Sequence, residues 1–214
     1  MFPFPIATPQ GCNIQTFYGT SDAPDEAQMS WTKPVGASHV YMMLIGAGGN
    51  GSGGGSGGGS GAVTVWYGAA QHVPNNLVVK PAGIGGDTQV SYRGNSLITL
   101  LQARGGSSSS AGPASSATAF AASGFFKSTA GQDGIAGNLT PSSTTFLSGG
   151  ASTSVTANYG YTVTGSNKSG YFQMQPIIVG TGGLDAGSGG IGCGGGSGAS
   201  VGKGGPGMVL IASW

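Results

Sequence analysis

Few residues in this chain could do chemistry, and most of those sit in surroundings that account for them without it. Gly46-Ala47-Gly48-Gly49-Asn50-Gly51 has the letters of a dinucleotide-binding turn, G-x-G-x-x-G, and follows an apolar run. That chemistry needs a helix to start at the turn and aim its N-terminal amides at a pyrophosphate, with an acid about 20 residues on to hold a ribose. Here the next ten residues are all glycine or serine, which cannot sustain a helix, and no Asp or Glu lies between Gly51 and Pro81. Ser56, within Gly54-Gly55-Ser56-Gly57-Gly58, matches the nucleophile elbow G-x-S-x-G. An elbow also needs a histidine, an acid and a strand–turn–helix context, and a Gly/Ser tract produces the match by composition.

The partners for such chemistry are scarce. His39 and His72 are the only histidines, and neither neighbours an acid in sequence, so both are expected to be structural or solvent-exposed. The acids are Asp22, Asp25, Glu26, Asp87, Asp133 and Asp185. The first three cluster but lack the alternating oxygen ligands and turn glycine of a calcium loop. Cys12, Cys193 and the two histidines lack zinc spacing. A carboxylate pair formed only in space is not visible from sequence. The expectation is no catalytic residue, no cofactor-binding residue, no metal ligand and no cofactor: not an enzyme. No particular residue is assigned to a binding surface. Cys12 and Cys193 allow one bridge or two inert thiols. Asn138 and Asn167 open glycosylation sequons, which matter only on a secretory route.

The elements that would position any site must be built from an unusual composition. Of 214 residues, 46 are glycine and only 6% are charged, against roughly 7% and a quarter in ordinary domains. Yet 38% are hydrophobic and come in discrete runs, enough for one core. The net charge of +1 is made of scattered groups with no basic stripe, so no nucleic-acid partner is expected. No apolar run approaches the ~20 residues of a membrane span. The start, MFPFPIATPQ, lacks a positive segment and holds three prolines, so no classical export signal is expected.

Short runs rich in Val, Ile, Thr, Tyr and Phe, separated by turn residues, predict strands at 37–45, 62–67, 77–80, 88–92, 96–103, 144–147, 153–164, 171–179 and 208–214. The first is nearly all apolar, as in a strand buried on both faces. Only 114–122 looks helical, and its Ser and Thr content argues against that. The expected fold is all-β, a β-sandwich or jelly roll, spanning 31–214, with a Ser/Thr/Gly-rich insertion at about 105–170. Residues 1–30, rich in proline and aromatics, read as an extended anchoring arm or as an edge strand plus loop. Trp31, Trp66 and Trp214 lie near strand ends, where core or interface anchors are ordinary. Tyr159, Tyr161 and Tyr171 could pack or could stack on sugars.

The glycines have a period of three. Stepping by three from Gly180 to Gly207, eight of ten positions are glycine, and only Ala186 and Val201 break the row. Polyproline II geometry has three residues per turn, and a glycine row lets neighbouring backbones approach and bond. Polyglycine-II-like packing and tight loops across a sheet edge both fit this pattern.

Trp31-Thr32-Lys33-Pro34-Val35-Gly36, the run His39–Ile45 and Gly46-Ala47-Gly48-Gly49 together resemble the opening of the glycine-rich domain of bacteriophage tail-fibre and other virion proteins. Residues 77–86, 103–106 and 204–211 are similar to the later glycine-pair and closing-strand positions of that family, so the resemblance spans roughly 31–214. The Ser/Thr-rich middle and the separate arm depart from the pattern. The resemblance implies a structural component on the surface of a virion: a capsid decoration, head fibre or tail appendage, assembled in the host cytoplasm. Implied partners are other virion proteins and further copies of the chain. The alternative is a tip adhesin recognising a bacterial surface glycan or outer-membrane protein.

Overall fold

The structure, a computed structural model, describes residues 12–20, 28–53, 55–136, 147, 149–150, 187–197 and 201–214. Its strands are β1 Asn13–Tyr18, β2 Met29–Thr32, β3 His39–Ile45, β4 Val63–Ala69, β5 Asn76–Lys80, β6 Thr88–Arg93, β7 Leu97–Ala103, β8 Phe125–Thr129 and β9 Met208–Ser213. They form two antiparallel sheets, ordered β1-β9-β3-β4-β8 and β2-β5-β6-β7. The fold is all-β. Among the described residues only single 3-10 turns, Ala70–His72 and Ala121–Ser123, are helical.

The predicted strands at 37–45, 62–67, 77–80, 88–92, 96–103 and 208–214 correspond to β3 through β7 and β9. Strands β2 and β8 were not predicted, and those at 153–164 and 171–179 lie outside the described residues, as does 144–147 except for Leu147. The helix-like run 114–122 holds no α-helix. Its polar side chains bind neighbouring backbone: Thr118 Oγ1 donates to the Leu100 carbonyl at 2.6 Å and accepts from Ala121 N–H at 3.1 Å. The middle of the arm region is strand β1, paired along its length with β9 of the same chain, Asn13 opposite Ser213 and Tyr18 opposite Met208, and its last two residues open β2.

Strand alternation gives the first sheet a core on each face. Val40, Met42, Leu44, Trp66, Val209 and Ile211 point towards the second sheet and meet Trp31, Leu77, Val79, Val90 and Leu101. Tyr41, Ile45, Val63, Val65, Met208 and Leu210 point the other way, to Leu147 and Cys193. That double burial explains why β3 is, after His39, one continuous apolar run.

The two sheets converge towards one end. Trp31 and Trp66 fill the first core, whereas near Ile45 the side chains shrink to Ala47, Ala62, Ala82 and Ala103, all fully buried. Buried hydroxyls there reach across. Thr88 Oγ1 donates to the Ile45 carbonyl and Thr64 Oγ1 to the Gln102 carbonyl, each at 2.7 Å. At this end β3 runs out into, and β4 and β9 emerge from, glycine-rich chain. The opposite end carries the turns between strands, including Pro34–Ala37, where Ala37 N–H bonds to the Pro34 carbonyl at 3.3 Å and Gly36 takes φ 85°. A type II turn requires that positive φ.

Candidate functional site

Beyond the converged end, the chain makes repeated excursions outward and back, and their backbones bond to one another at intervals of three. In residues 57–62, the amides of Gly57 and Ser60 donate to Ile135 and Gln132, those of Gly58 and Gly61 to Gly195 and Gly192, and those of Gly59 and Ala62 to Ser107 and Arg104. Each donor step of three meets an acceptor step of three in the opposite direction, at 2.8–3.1 Å. The carbonyls of the same run accept from Gly46, Gly49, Gly112 and Gly150. The run 46–52 repeats the pattern: Gly46, Gly49 and Ser52 donate to Ala62, Gly59 and Ser56, while Gly48 and Gly51 donate to Gly205 and Gly202.

Side chains would prevent this contact. A Cβ on Gly58 would fall on the Gly49 carbonyl, one on Gly194 on the Gly58 carbonyl, and one on Gly205 on the Gly190 carbonyl. Glycine is required here for close approach. Gly192 adds a conformational demand, since its φ of 70° turns the chain back after Ile191.

The outer ends of these excursions gather together. Ser52 closes the turn onto Ser56, its N–H and Oγ both donating to the Ser56 carbonyl. Ser197 Oγ contacts the carbonyls of Ser52 and Gly55 and accepts from Gly55 N–H at 3.1 Å. Ser107 turns onto Ser110, and Ser197 bridges to Val201, which is half-exposed. Ile135, Gly150 and Gly187, close to the ends of described stretches, bond at this same outer level through Gly57, Gly58 and Gly196.

The candidate chemical motifs are absorbed into this framework. The amides of Gly46, Ala47, Gly48, Gly49 and Gly51 all bond to backbone carbonyls, so the G-x-G-x-x-G stretch has none of these left for a phosphate, and among the described residues after it the next element is strand β4. His39 Nδ1 lies 3.0 Å from Ser38 Oγ, and His72 Nδ1 lies 3.2 Å from the Ser123 carbonyl. Asp87 accepts from Gln102 Nε2 at 2.7 Å and from Gly105 N–H at 2.8 Å; Asp133 accepts from Ala111 N–H at 2.6 Å. Both carboxylates brace loops. Cys12 is half-buried and Cys193 buried, and neither is joined in a disulfide. No cluster of three His, Cys, Asp or Glu residues that could hold a metal occurs among the described residues. Asp22, Asp25, Glu26, Asp185, Asn138, Asn167, Tyr159, Tyr161 and Tyr171 lie outside them.

The chain matches no protein-family model and no curated protein.

Two other surfaces stand out. A groove of about 930 Å³ along the second sheet is lined, among the described residues, by Gln28, Ser30, Thr32, Asn76, Tyr92 and Arg93, with no carboxylate or histidine among those described. At the end opposite the glycines, large apolar side chains are exposed: Ile14, Val35, Tyr92, Leu97, Ile98 and Phe125. Sequence reasoning missed this clustering, because these residues are far apart in the chain and only the strand pairings bring them to one pole. Three rings on the outer face of the first sheet meet there. His39 lies 5.6 Å from Tyr67 and 6.1 Å from Trp214, with Tyr67 and Trp214 5.9 Å apart and interplanar angles of 12–18°.

Proposed function

We propose that this protein is a non-catalytic structural component exposed on a bacteriophage particle, in which a β-sandwich braces a bundle of polyglycine-II-like segments and holds their loops outward. The supporting observation is the register of the backbone bonds, in which run 57–62 alternates among three acceptor segments at every third residue. Three residues per turn is the repeat of that helix, and a left-handed helix without internal bonds must place its amides on neighbours. Such a bundle is stiff without charged or bulky side chains, which suits a display scaffold better than a reaction vessel. At the apolar pole, Val35, Tyr92, Leu97 and Ile98 supply a surface for other virion proteins or for further copies of the chain. Assembly in the host cytoplasm and a place on the particle surface follow from the family resemblance.

Mass spectrometry of purified particles tests the assignment, with the chain expected at a fixed ratio to the main shell or tail protein. An epitope inserted between Ser52 and Ser56 should be bound by antibody on intact particles, and one at Val35 should be masked. Absence from particles, or the reverse accessibility, rules out this reading.

The gathering of three turns and of Ile135, Gly150 and Gly187 at the outer end favours a second reading, an adhesin whose loops bind a bacterial surface glycan or outer-membrane protein. Purified protein should then adsorb to host cells and block infection. A pure decoration protein would do neither.

A further inference from the structure

Across the first sheet, at the apolar pole, one face carries a band of five large side chains, four on strands and one just after β9. Ile14 on β1 is opposite Ala212, which belongs to the outer core. Directly opposed residues in an antiparallel pair share a face, so Ile14 lies on that outer side. Trp214 follows β9, His39 opens β3 and Tyr67 lies on β4, their rings mutually stacked. Phe125 on β8 is opposite Tyr67 and shares its face, while its neighbour Phe126 turns to the inner core. Ile14 and Phe125 remain 52% and 50% exposed, so both ends of the band are open.

We propose that this band is the docking site of the chain's own N-terminal segment, Phe2-Pro3-Phe4-Pro5-Ile6. The chain enters β1 through Cys12, and Asn13 lies opposite Ser213, the residue before Trp214. The segment therefore arrives at one edge of the band. It alternates proline with large apolar residues. Proline-rich segments favour a preformed extended helix and dock on aromatic surfaces at low entropic cost, the rings of proline lying on those of Trp and Tyr. Reach is sufficient. The residues from Phe2 to Cys12 span roughly 30 Å at about 3.1 Å each, whereas four inter-strand steps of about 4.8 Å cover roughly 19 Å. The stretch from Cys12 back to Phe2 can therefore cross from Ile14 to Phe125, with residues 2–6, about 12 Å long, lying over the far side of the band towards Phe125. This inference is independent of the virion assignment, since it concerns only contacts within one chain.

The test uses the full chain with photo-crosslinking p-benzoylphenylalanine in place of Phe4. Irradiation is expected to join residue 4 to peptides containing His39, Tyr67, Phe125 or Trp214, within a single chain on a denaturing gel. Phe125→Ser, at an exposed site whose fold is checked by circular dichroism, should lower capture on its own peptide about fivefold. Crosslinks between two copies, to the glycine turns or to the second sheet, or no crosslink, each overturn the proposal.

Discussion

At the scale of single residues, position decides what a glycine is worth. Gly58 and Gly53 belong to the same tract, yet a Cβ on Gly58 would coincide with the Gly49 carbonyl, whereas one on Gly53 would have Val201 Cγ2 as its nearest neighbour at 3.9 Å. Backbone on both sides of Gly58 is held by bonds to other segments and cannot retreat. Gly58→Ala is therefore expected to cost about 2–3 kcal/mol, as overpacking does, and Gly53→Ala to stay within about 0.5 kcal/mol. Urea titration of the two variants beside the parent measures both, and equal costs would mean that the close approach is not limiting. Tyr41 offers a second test. Burial pushes its phenol up to about 12, while the unfolded tyrosine titrates at about 10. Below pH 10 both states are neutral and the stability is fully present. Between 10 and 12 only the unfolded chain loses its proton, so stability falls, by about 2–3 kcal/mol across the window. Tyr41→Phe should flatten that part of the denaturation profile, and an unchanged profile would mean Tyr41 is not the group responsible.

At the scale of elements, legibility followed side-chain content. Strand β3 was visible because burial on both faces turns it, after His39, into an apolar run, VYMMLI. Strand β8, FFKST, was not, because its apolar side chains are few and its identity depends on the partner β4, opposite Thr129 to Phe125. The same holds for β2, MSWT, where Trp31 alone is buried and pairing with β5 makes the strand. The period of three was legible in the glycines, and the backbone bonds repeat at that interval. Which run bonds to which was not. A glycine carries no side chain to discriminate partners, so register is inherited from the strands that the runs continue: 57–62 is aligned by β4, and 202–207 by β9. The candidate surface at the apolar pole was equally hidden, since Ile14, His39, Tyr67, Phe125 and Trp214 meet only through five-strand pairing.

At the scale of the whole molecule, the glycine runs and the sheets are one mechanical unit, because the same stretches of chain belong to both. Residues 57–62 enter β4 directly, and their amides and carbonyls bond to runs around 46–49, 104–112, 132–135, 150 and 192–195. Releasing that run means breaking bonds to all of them at once, and the converged end, with Thr64 and Thr88 tied across the sheets, gives no hinge where it could open separately. Local opening is ordinarily easiest where apolar contacts are few, so composition alone would make the glycine runs the fastest-exchanging part of the molecule. The bond network makes the opposite prediction. The amides of Gly58, Gly59, Ser60 and Gly61 should exchange with solvent at the free energy of global unfolding, the same as those of Met42 and Leu44 in β3. Native-state hydrogen exchange measured by NMR across a denaturant series reads both sets together. If the glycine amides exchange orders of magnitude faster while β3 stays protected, the runs are ornaments on a stable β body; if the two curves merge, they are part of the frame that holds it together.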